Sequence, residues 1–336
     1  MAFDGIVTKS IVSELYNNIL GSKVNKIYEP TNQDIIFNLY GNGGNFDLAI
    51  CTNSSLSRVH LTKYSKPNPM NAPNFCMFLR KHLVGSKVLN VESFDLERII
   101  CISFECYNEL NDKIFKKLYI EIMGQFSNVV LVNENGTILD CLNHVVTKSR
   151  ELLPVRPYSF PSNNKQSFLE INFFEEFYNI FSNGFDETID KTFSNLFIGI
   201  SRSFIQNICG KLNIPLDSNS KDNLKLIYDK VKDILENIHT LNISLYKTKN
   251  GKDYYFDIAE NPVNLSISTF LDEFYFEKEQ VSLFTTYRDF LLNFLLGTLN
   301  KYKKRLTHIN EKLKDCESMD EYKLYGDLLT SNLYRI

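Results

Sequence analysis

The most regular feature of the sequence lies near its end. Leu295, Leu299, Tyr302, Leu306, Ile309, Leu313 and Cys316 are spaced 4-3-4-3-4-3, a heptad seam sustained for three repeats. A seam with a mean period of 3.5 specifies a helix whose apolar edge has to meet another helix. Ser318 and Glu321 follow at capping-box spacing, so a second helix is expected after a very short turn. That helix would carry Tyr325, Leu328, Leu329 and Leu333 back along the first. The sequence stops at Ile336 inside this pattern. Residues 276–336 are therefore expected to begin an antiparallel coiled-coil arm that continues beyond the sequence in hand.

Upstream of the arm the apolar period switches twice. Residues 7–20 place Val7, Ile11, Val12, Leu15 and Leu20 on one side of a helix. Short β-type runs follow at 23–29, 34–40 and 46–52, the last two joined by Gly41-Asn42-Gly43-Gly44-Asn45, whose residues tolerate positive φ. A short helix is expected over 75–83, after the proline-rich stretch 67–73. Further β-runs lie at 88–94, 98–107, 118–123, 128–133 and 138–143, with turns at 108–112 and 133–136. Residues 1–165 thus read as an antiparallel β-rich domain carrying two helices, and 154–165, with three prolines and a polar end, as its linker.

From residue 166 the period becomes helical. Phe168, Ile171, Phe174 and Tyr178 mark one helix, and Ile189, Phe193 and Leu196 a second. Residues 201–212 and 221–238 supply two more. Residues 243–274 return to β-runs, at 244–249 and 252–258, across an Asn250-Gly251 turn. The expected class is α+β, with domains at 1–165, 166–275 and 276–336.

Composition excludes several functional classes. Hydrophobic residues make up 43% of the chain and charged residues 23%, as in a folded globular protein. The N-terminal Met1-Ala2-Phe3-Asp4-Gly5 has neither a basic region nor a long apolar run, so no signal peptide is expected. No window reaches the roughly 18 apolar residues of a membrane span. The richest stretch, 290–299, is interrupted by Asn293 and Gly297. A cytoplasmic protein with no membrane partner is the expectation. Cys51, Cys76, Cys101, Cys106, Cys141, Cys209 and Cys316 are odd in number and form no Cys-x-x-Cys pair, which reads as buried free thiols. The five histidines lack metal-ligand spacing, so neither a metal nor a cofactor is expected.

Charge is unevenly spread. From Leu56 to Asn90 there are six basic residues (Arg58, Lys63, Lys66, Arg80, Lys81 and Lys87) and no acidic one. Residues 170–190 hold six acidic residues and no basic one, although the net charge is only −3. One face can therefore attract phosphate. Two solvated faces of opposite sign is the other reading.

No Gly-x-Ser-x-Gly, His-Glu-x-x-His, P-loop or dinucleotide fingerprint is present. Asp95 and Glu97 share a strand face where acid–base chemistry is conceivable, but solvated carboxylates on a strand are far commoner. Two segments are chemically odd for plain structure. Asp95-Leu96-Glu97-Arg98 places charges at the head of a strong β-run. Glu121-Ile122-Met123-Gly124-Gln125-Phe126-Ser127-Asn128 packs an acid, a glycine and polar residues between two apolar strands. Ser127 and Asn128 can hydrogen-bond a ligand or their own backbone, and the residues alone leave both readings open.

Taken in order, these segments resemble the N-terminal region of the RqcH/NFACT family. The resemblance runs through the opening 1–5, Lys26-Ile27-Tyr28-Glu29-Pro30, Arg58-Val59-His60-Leu61-Thr62 and the specific run 74–83. It continues through Glu121-Ile122-Met123-Gly124, Ser127-Asn128 and Gly326-Asp327-Leu328-Leu329. The resemblance implies a β-sandwich like that of formamidopyrimidine-type DNA glycosylases, followed by a helix-two-turn-helix module. Those enzymes use an N-terminal proline and a zinc finger. Ala2 and the missing cysteine quartet imply no glycosylase or lyase activity here, and no hydrolytic enzyme.

The resemblance further implies a ribosome quality-control factor. Such a factor engages the large ribosomal subunit that holds stalled peptidyl-tRNA, binds tRNA (alanyl-tRNA in bacteria) and supports C-terminal alanine tailing. A functional aspartate of the family maps onto Asp4, its Asp-Arg pair onto Glu97-Arg98, and its Glu-Ile or Glu-Leu pair onto Glu121-Ile122. The implied tRNA- and ribosome-binding set is Asp4, Glu97, Arg98, Glu121, Ile122, Arg58, Arg80, Lys81, Ser127 and Asn128. Arg58, Arg80, Lys81 and Arg98 would neutralise phosphates, and Arg98, fixed by Glu97, can instead fork onto a base edge. Two departures stand out. Glu97 keeps the charge of an aspartate with one more methylene, and Gln125-Phe126 replace an Arg-His, removing a cation while offering a ring for stacking. The older family label implies an alternative, a surface adhesin that binds fibronectin or fibrinogen. The absent signal sequence and the free cysteines count against it.

Overall fold

Asp4 starts the first element. Its Oδ1 accepts the backbone N–H groups of Ile6 and Val7 at 3.1 and 3.0 Å, capping α1 (Gly5–Ile19) in the manner of a side chain that satisfies first-turn donors. The computed structural model describes residues 3–41, 43–184, 187–238, 243–248, 251, 253–258 and 266–335, in two compact units, Met1–Tyr275 and Phe276–Ile336.

In the first unit two antiparallel meanders form a single nine-stranded sheet. The first is β1 (Lys23–Thr31), β2 (Asp34–Gly41), β3 (Gly44–Cys51) and β4 (Arg58–Thr62); α2 (Asn74–Leu83) follows it. The second is β5 (Lys87–Ser93), β6 (Ile99–Tyr107), β7 (Lys113–Glu121), β8 (Asn128–Asn133) and β9 (Ile138–Cys141). They join through one residue pair, Lys23 with Lys87. Ile27, Phe37 and Ile50 of the first meander share a core with Ile100, Phe104 and Leu118 of the second and with Ile6, Ile11 and Leu15 of α1. The expected α+β class is what the chain adopts, and its β-rich part is one large antiparallel sheet. β4 (Arg58–Thr62) is a strand beyond the β-runs expected from the sequence.

The run from Ile99 to Ile102 is apolar without alternation because both faces of the second meander are covered. Ile100 and Ile102 face the main core. Ile99, Cys101, Tyr119, Val130 and Val132 form a second apolar cluster under β10 (Val145–Val146), β11 (Glu151–Leu152) and the stretch expected to be a linker. That stretch is a strap packed on the sheet. Pro157 bridges to Thr137, and the Tyr158 ring stacks on Tyr119 at 4.0 Å between centroids.

Four helices follow, α3 (Phe174–Phe181), α4 (Ile189–Leu196), α5 (Arg202–Leu212) and α6 (Lys221–Glu236). Phe177, Phe193, Phe197 and Tyr228 converge on the Phe168 ring or on one another. Phe168 and Ile171 are buried there ahead of α3, not inside it, which corrects the helix expected to begin at Phe168. The hairpin of β12 (Ile243–Lys247) and β13 (Tyr254–Ile258) comes next. Of its expected turn, Asn250 lies outside the described residues, as do Lys249 and Lys252, and so does Asn42 in the first meander.

Helix α7 (Ile267–Glu317) begins earlier than the β-runs expected up to residue 274 allowed. Its first turns belong to the first unit and are tied to the edge strand β4. Asp272 accepts from His60 Nε2, Thr62 Oγ1 and the Lys63 N–H at 3.1, 2.6 and 2.8 Å. Ser268 Oγ accepts the Leu61 N–H at 3.0 Å.

In the second unit α7 runs on to Glu317 and α8 (Met319–Ser331) follows after Ser318 alone. Ser318 has helical φ and ψ and makes no side-chain cap, so the expected capping box and reversal are not formed there. The heptad positions Leu295, Leu299, Tyr302, Leu306, Ile309 and Leu313 are exposed. Among the described residues no helix is long and apolar enough to cross a membrane. Six cysteines are buried and Cys316 is exposed.

Candidate nucleic-acid interface

The loop between β5 and β6 turns at Asp95, whose φ of +50° lies in the left-handed region that Asp tolerates better than most residues. The turn drives Leu96 inward, where it is fully buried. Its carbonyl oxygen meets two glycines. A Cβ on Gly5 or on Gly199 would fall 2.0 or 1.9 Å from that oxygen, and Gly199 has a φ of +66°. The Gly5 N–H donates to the Gly199 carbonyl at 2.9 Å. Three segments distant in sequence are thereby pulled to near backbone contact, which only glycine permits.

That junction opens into a cleft of about 420 Å³ lined by Asp4, Arg98, Lys165, Ser201, Arg202 and Ser203, among others. Ser201 caps α5, its hydroxyl accepting the Phe204 N–H at 3.3 Å. Burial pulls the Arg98 pKa down, against the opposing effect of the Asp4 and Glu97 carboxylates. Lys165 is also held below its ordinary value, first by burial and then by the like charge of Arg98, with Glu97 acting the other way. Asp4 is pushed up by burial, only partly offset by hydrogen bonds from Ser201, Val7 and Ile6. The lining therefore places three cations beside one carboxyl whose charged form is disfavoured. Such a cleft attracts anions. Glu97 accepts from Asn163 Nδ2 at 3.0 Å.

Glu121 lies one ladder step away, paired across the strands with Ile99. The Ile122 N–H donates to the Arg98 carbonyl at 2.8 Å. The Glu121 side chain is closed off, however. It is 1% exposed, and both oxygens accept from the Arg150 guanidinium, while Tyr158 Oη donates to Oε1 at 2.8 Å. Burial opposes the Arg150 charge, but the Glu121 bonds and charge outweigh it and hold its pKa up. Burial, then the same carboxylate, pushes the Tyr158 hydroxyl well up.

Ser127 and Asn128 are likewise spent on the fold. Ser127 Oγ accepts the Met123 N–H at 3.0 Å, around a 3₁₀ turn in which Gly124 has a φ of +62°. Asn128 donates to the Asn143 carbonyl at 2.8 Å and accepts the Asn143 N–H at 2.9 Å. Of the two readings left open by the sequence, the structure favours self-satisfied backbone.

The remaining candidates do not gather at one place. Arg58 is buried, stacked over the Tyr275 ring at 4.4 Å and bonded to the Leu56 carbonyl, so it does not join a phosphate-facing surface. Arg80 Nε donates to the Ile27 carbonyl at 2.7 Å. Lys81 is exposed on α2, and Phe126 is 68% exposed. Sequence reasoning missed Arg150, Tyr158 and Lys165, which lie in or beside the supposed linker, and Arg202. The signal for Arg202 was the Ser201 cap at the head of a helix, followed by a cation. Asp140, Cys141 and His144 bring one potential ligand atom each within 4.8 Å. The Cys141 thiol donates to two carbonyls there and burial pushes it up to about 12.

The model of the family described as NFACT N-terminal and middle domains matches residues 4–336. The curated protein "Rqc2 homolog RqcH" of Bacillus subtilis is 30% identical over 350 residues, covering 100% of this chain and 60% of that protein. An "Archaeal Rqc2 homolog aRqcH" of Methanocaldococcus jannaschii is 24% identical, over 96% of this chain and 49% of its own length. The human "Ribosome quality control complex subunit NEMF" is 26% identical over 42% of this chain and 12% of its own length. Among solved structures, the fibrinogen binding protein from Staphylococcus aureus superposes with a TM-score of 0.68 at 27% identity, covering 82% of this chain and 99% of that one. The N-terminal part of the fibronectin/fibrinogen-binding protein from Streptococcus suis gives 0.64 at 26% identity, with the same coverage. The chain spans about 60% of the length of the bacterial relatives it matches.

Proposed function

The chain belongs to the NFACT family, and from that premise we propose that it works in ribosome quality control, as the part of a factor that holds tRNA on an obstructed large ribosomal subunit and supports alanine tailing of the stalled chain. The observation that carries the RNA-binding part is the cleft lined by Arg98, Lys165 and Arg202 beside Asp4, whose charged form burial disfavours. Cations converging on a solvent-open cleft supply the phosphate-neutralising component of RNA affinity. No hydrolytic, glycosylase or lyase role is proposed: of the Asp95 and Glu97 pair, Asp95 sits in a left-handed turn and Glu97 is bonded to Asn163, while Glu121 is locked by Arg150 and Tyr158. A cytoplasmic setting follows from ribosome work.

The test is filter binding of unfractionated tRNA at about 100 mM salt. Arg98→Ala is expected to weaken binding about tenfold, roughly 1.4 kcal/mol, while the melting curve stays cooperative. Unchanged affinity would remove Arg98 from the interface. Co-sedimentation with large subunits from stalled cells tests the ribosomal part. Fibronectin or fibrinogen binding, carried in the names of the solved relatives, predicts a surface signal by immunodetection on intact cells; the reading proposed here predicts none.

A further inference from the structure

Glu121 is too buried to meet any ligand, with 1% of its surface exposed, yet it holds one end of a structure whose other end reaches the cleft. The strap begins at Arg150 and Tyr158, both bonded to Glu121. Its far part is tied by Asn163 to Glu97 at 3.0 Å and by Lys165 Nζ to the Ser194 carbonyl at 2.6 Å. Between them Tyr158 and Phe160 pack against Tyr119 and Phe94, with Phe160 edge-on to Phe94 at 4.8 Å. The strap is thus anchored at both motif pairs, and it ends by delivering a lysine into the cleft beside Arg98.

We infer that Lys165 and Arg202, together with Arg98 and the first turn of α5, form a pocket for a single phosphate group, and that Glu121 is a positioning residue that places Lys165 through the strap. The inference rests on the RNA-binding reading above and deepens it.

Four features fit a phosphate. The cations come from three separate elements, so they surround a space instead of lining one ridge. The N–H groups of Arg202 and Ser203 stand in the first turn of an 11-residue helix, where no intrahelical acceptor exists, and the helix dipole adds positive potential at the same end. Lys165 stands close enough to Arg98 that the like charge, after burial, helps to depress its pKa, an effect that a bound anion relieves. The acids that line the cleft or act electrostatically on its cations are already engaged. Asp4 caps α1, Glu97 holds Asn163, and Asp190, within electrostatic range of Arg202, accepts from Thr188 and Gln206 at 2.6 and 2.8 Å. RNA and a free phosphate anion both carry this chemistry, and the two sources need separate arms.

The first arm measures tRNA affinity against salt for the 336-residue chain and its variants. Lys165→Gln and Arg202→Gln are each expected to weaken binding about three- to tenfold and to lower the slope of log affinity on log salt by about 0.7 to 0.9, the loss of one phosphate contact. Lys225→Gln, an exposed lysine on α6 outside the cleft, should change affinity less than about twofold on the same electrostatic grounds. The second arm follows thermal stability with inorganic phosphate against chloride at equal ionic strength. Phosphate should raise the wild-type midpoint, and Arg202→Gln should abolish the rise.

The positioning claim is read by coupling. Tyr158→Phe keeps the ring stack and removes one bond to Glu121, so it folds even if Glu121→Gln does not. It should weaken tRNA binding in the wild-type background and add nothing to Lys165→Gln. Additive losses would overturn the positioning role. Wild-type tRNA binding with unchanged affinity and slope in both Lys165→Gln and Arg202→Gln would overturn the pocket while leaving the RNA-binding function standing. No tRNA binding, but a phosphate shift lost in Arg202→Gln, would remove the function and keep the pocket. Neither response would remove both.

Discussion

Glu121-Ile122 and Glu97-Arg98 are neighbours in the sheet, joined by the Ile122 N–H on the Arg98 carbonyl at 2.8 Å, yet they serve opposite ends. The first pair faces inward. Its carboxylate is fully consumed by Arg150 and Tyr158, and Ile122 is 1% exposed. The second pair faces a cleft, where Arg98 shares space with two further cations. The same residue chemistry is closed into the fold in one place and faces an open cleft in the other. What decides between them is which distant residues come to meet each pair: an arginine and a tyrosine that saturate Glu121, against a lysine and an arginine that crowd Arg98.

The contrast can be broken at its closed end first. A buried ion pair is poor evidence of net stability, but removing one partner strands the other charge. Glu121→Ala is therefore expected to cost about 3–5 kcal/mol, read from urea unfolding, whereas a double replacement, Glu121→Leu with Arg150→Met, should recover most of the loss. A loss below about 1 kcal/mol, the scale of an exposed pair, would mean that Glu121 is solvent-available and that the two pairs are alike.

The open end is held by backbone, so it breaks differently. Gly199→Ala adds a Cβ 1.9 Å from the Leu96 carbonyl oxygen at a φ of +66°. Left-handed backbone costs roughly 1–2 kcal/mol for a residue with a Cβ, and overpacking about 1–3 kcal/mol more. A total of about 2–5 kcal/mol is expected from these two costs, with tRNA affinity falling in the surviving folded fraction. Full affinity in that fraction would show that the three-segment junction does not shape the cleft.

Much of this architecture was legible in the sequence, for identifiable reasons. Strand runs such as Asn128–Asn133 and the helix Asn74–Leu83 follow from local period and turn chemistry, which need only neighbours in sequence. The charged residues at 95–98 and 121 stood out because an apolar strand rarely carries them. Their separate roles were not legible, because each depends on partners far along the chain. Arg150 and Tyr158 sit in a stretch whose prolines and polar end read as a linker, and nothing local shows that it lies on Tyr119. Arg58 read as a surface cation for the same reason, since only the fold brings Tyr275 beneath it. The switch from strand to helix at Ile267 was missed because the segment is aromatic and β-branched, and its polar residues Ser268 and Asp272 act on β4, not along the helix.

The smallest expected effect gives the finest test, because two carboxylates carry opposite signs. Burial pushes Asp272 up, but its bonds to His60, the Lys63 N–H and Thr62 outweigh that and hold it below the ordinary 3.8. The unfolded chain then takes up the proton first as pH falls. The stabilisation is complete above 3.8 and is lost as pH drops through the lower folded value. Asp4 behaves the other way. Its folded pKa lies above 3.8, so its penalty is absent below 3.8, grows as the pH rises from there and is complete above the folded value. Asp272→Asn should cost about 1 kcal/mol at pH ~7 and less as the pH falls below 3.8. Asp4→Asn keeps a good cap acceptor and sheds the buried charge, so at neutral pH it should stay within about 0.5 kcal/mol of the parent or exceed it. If Asp4→Asn instead costs as much as Asp272→Asn, the Asp4 carboxylate is a stabilising partner of the cleft cations. Arg98, Lys165 and Arg202 would then have an internal counter-ion, and the open end of the comparison would be closed as well.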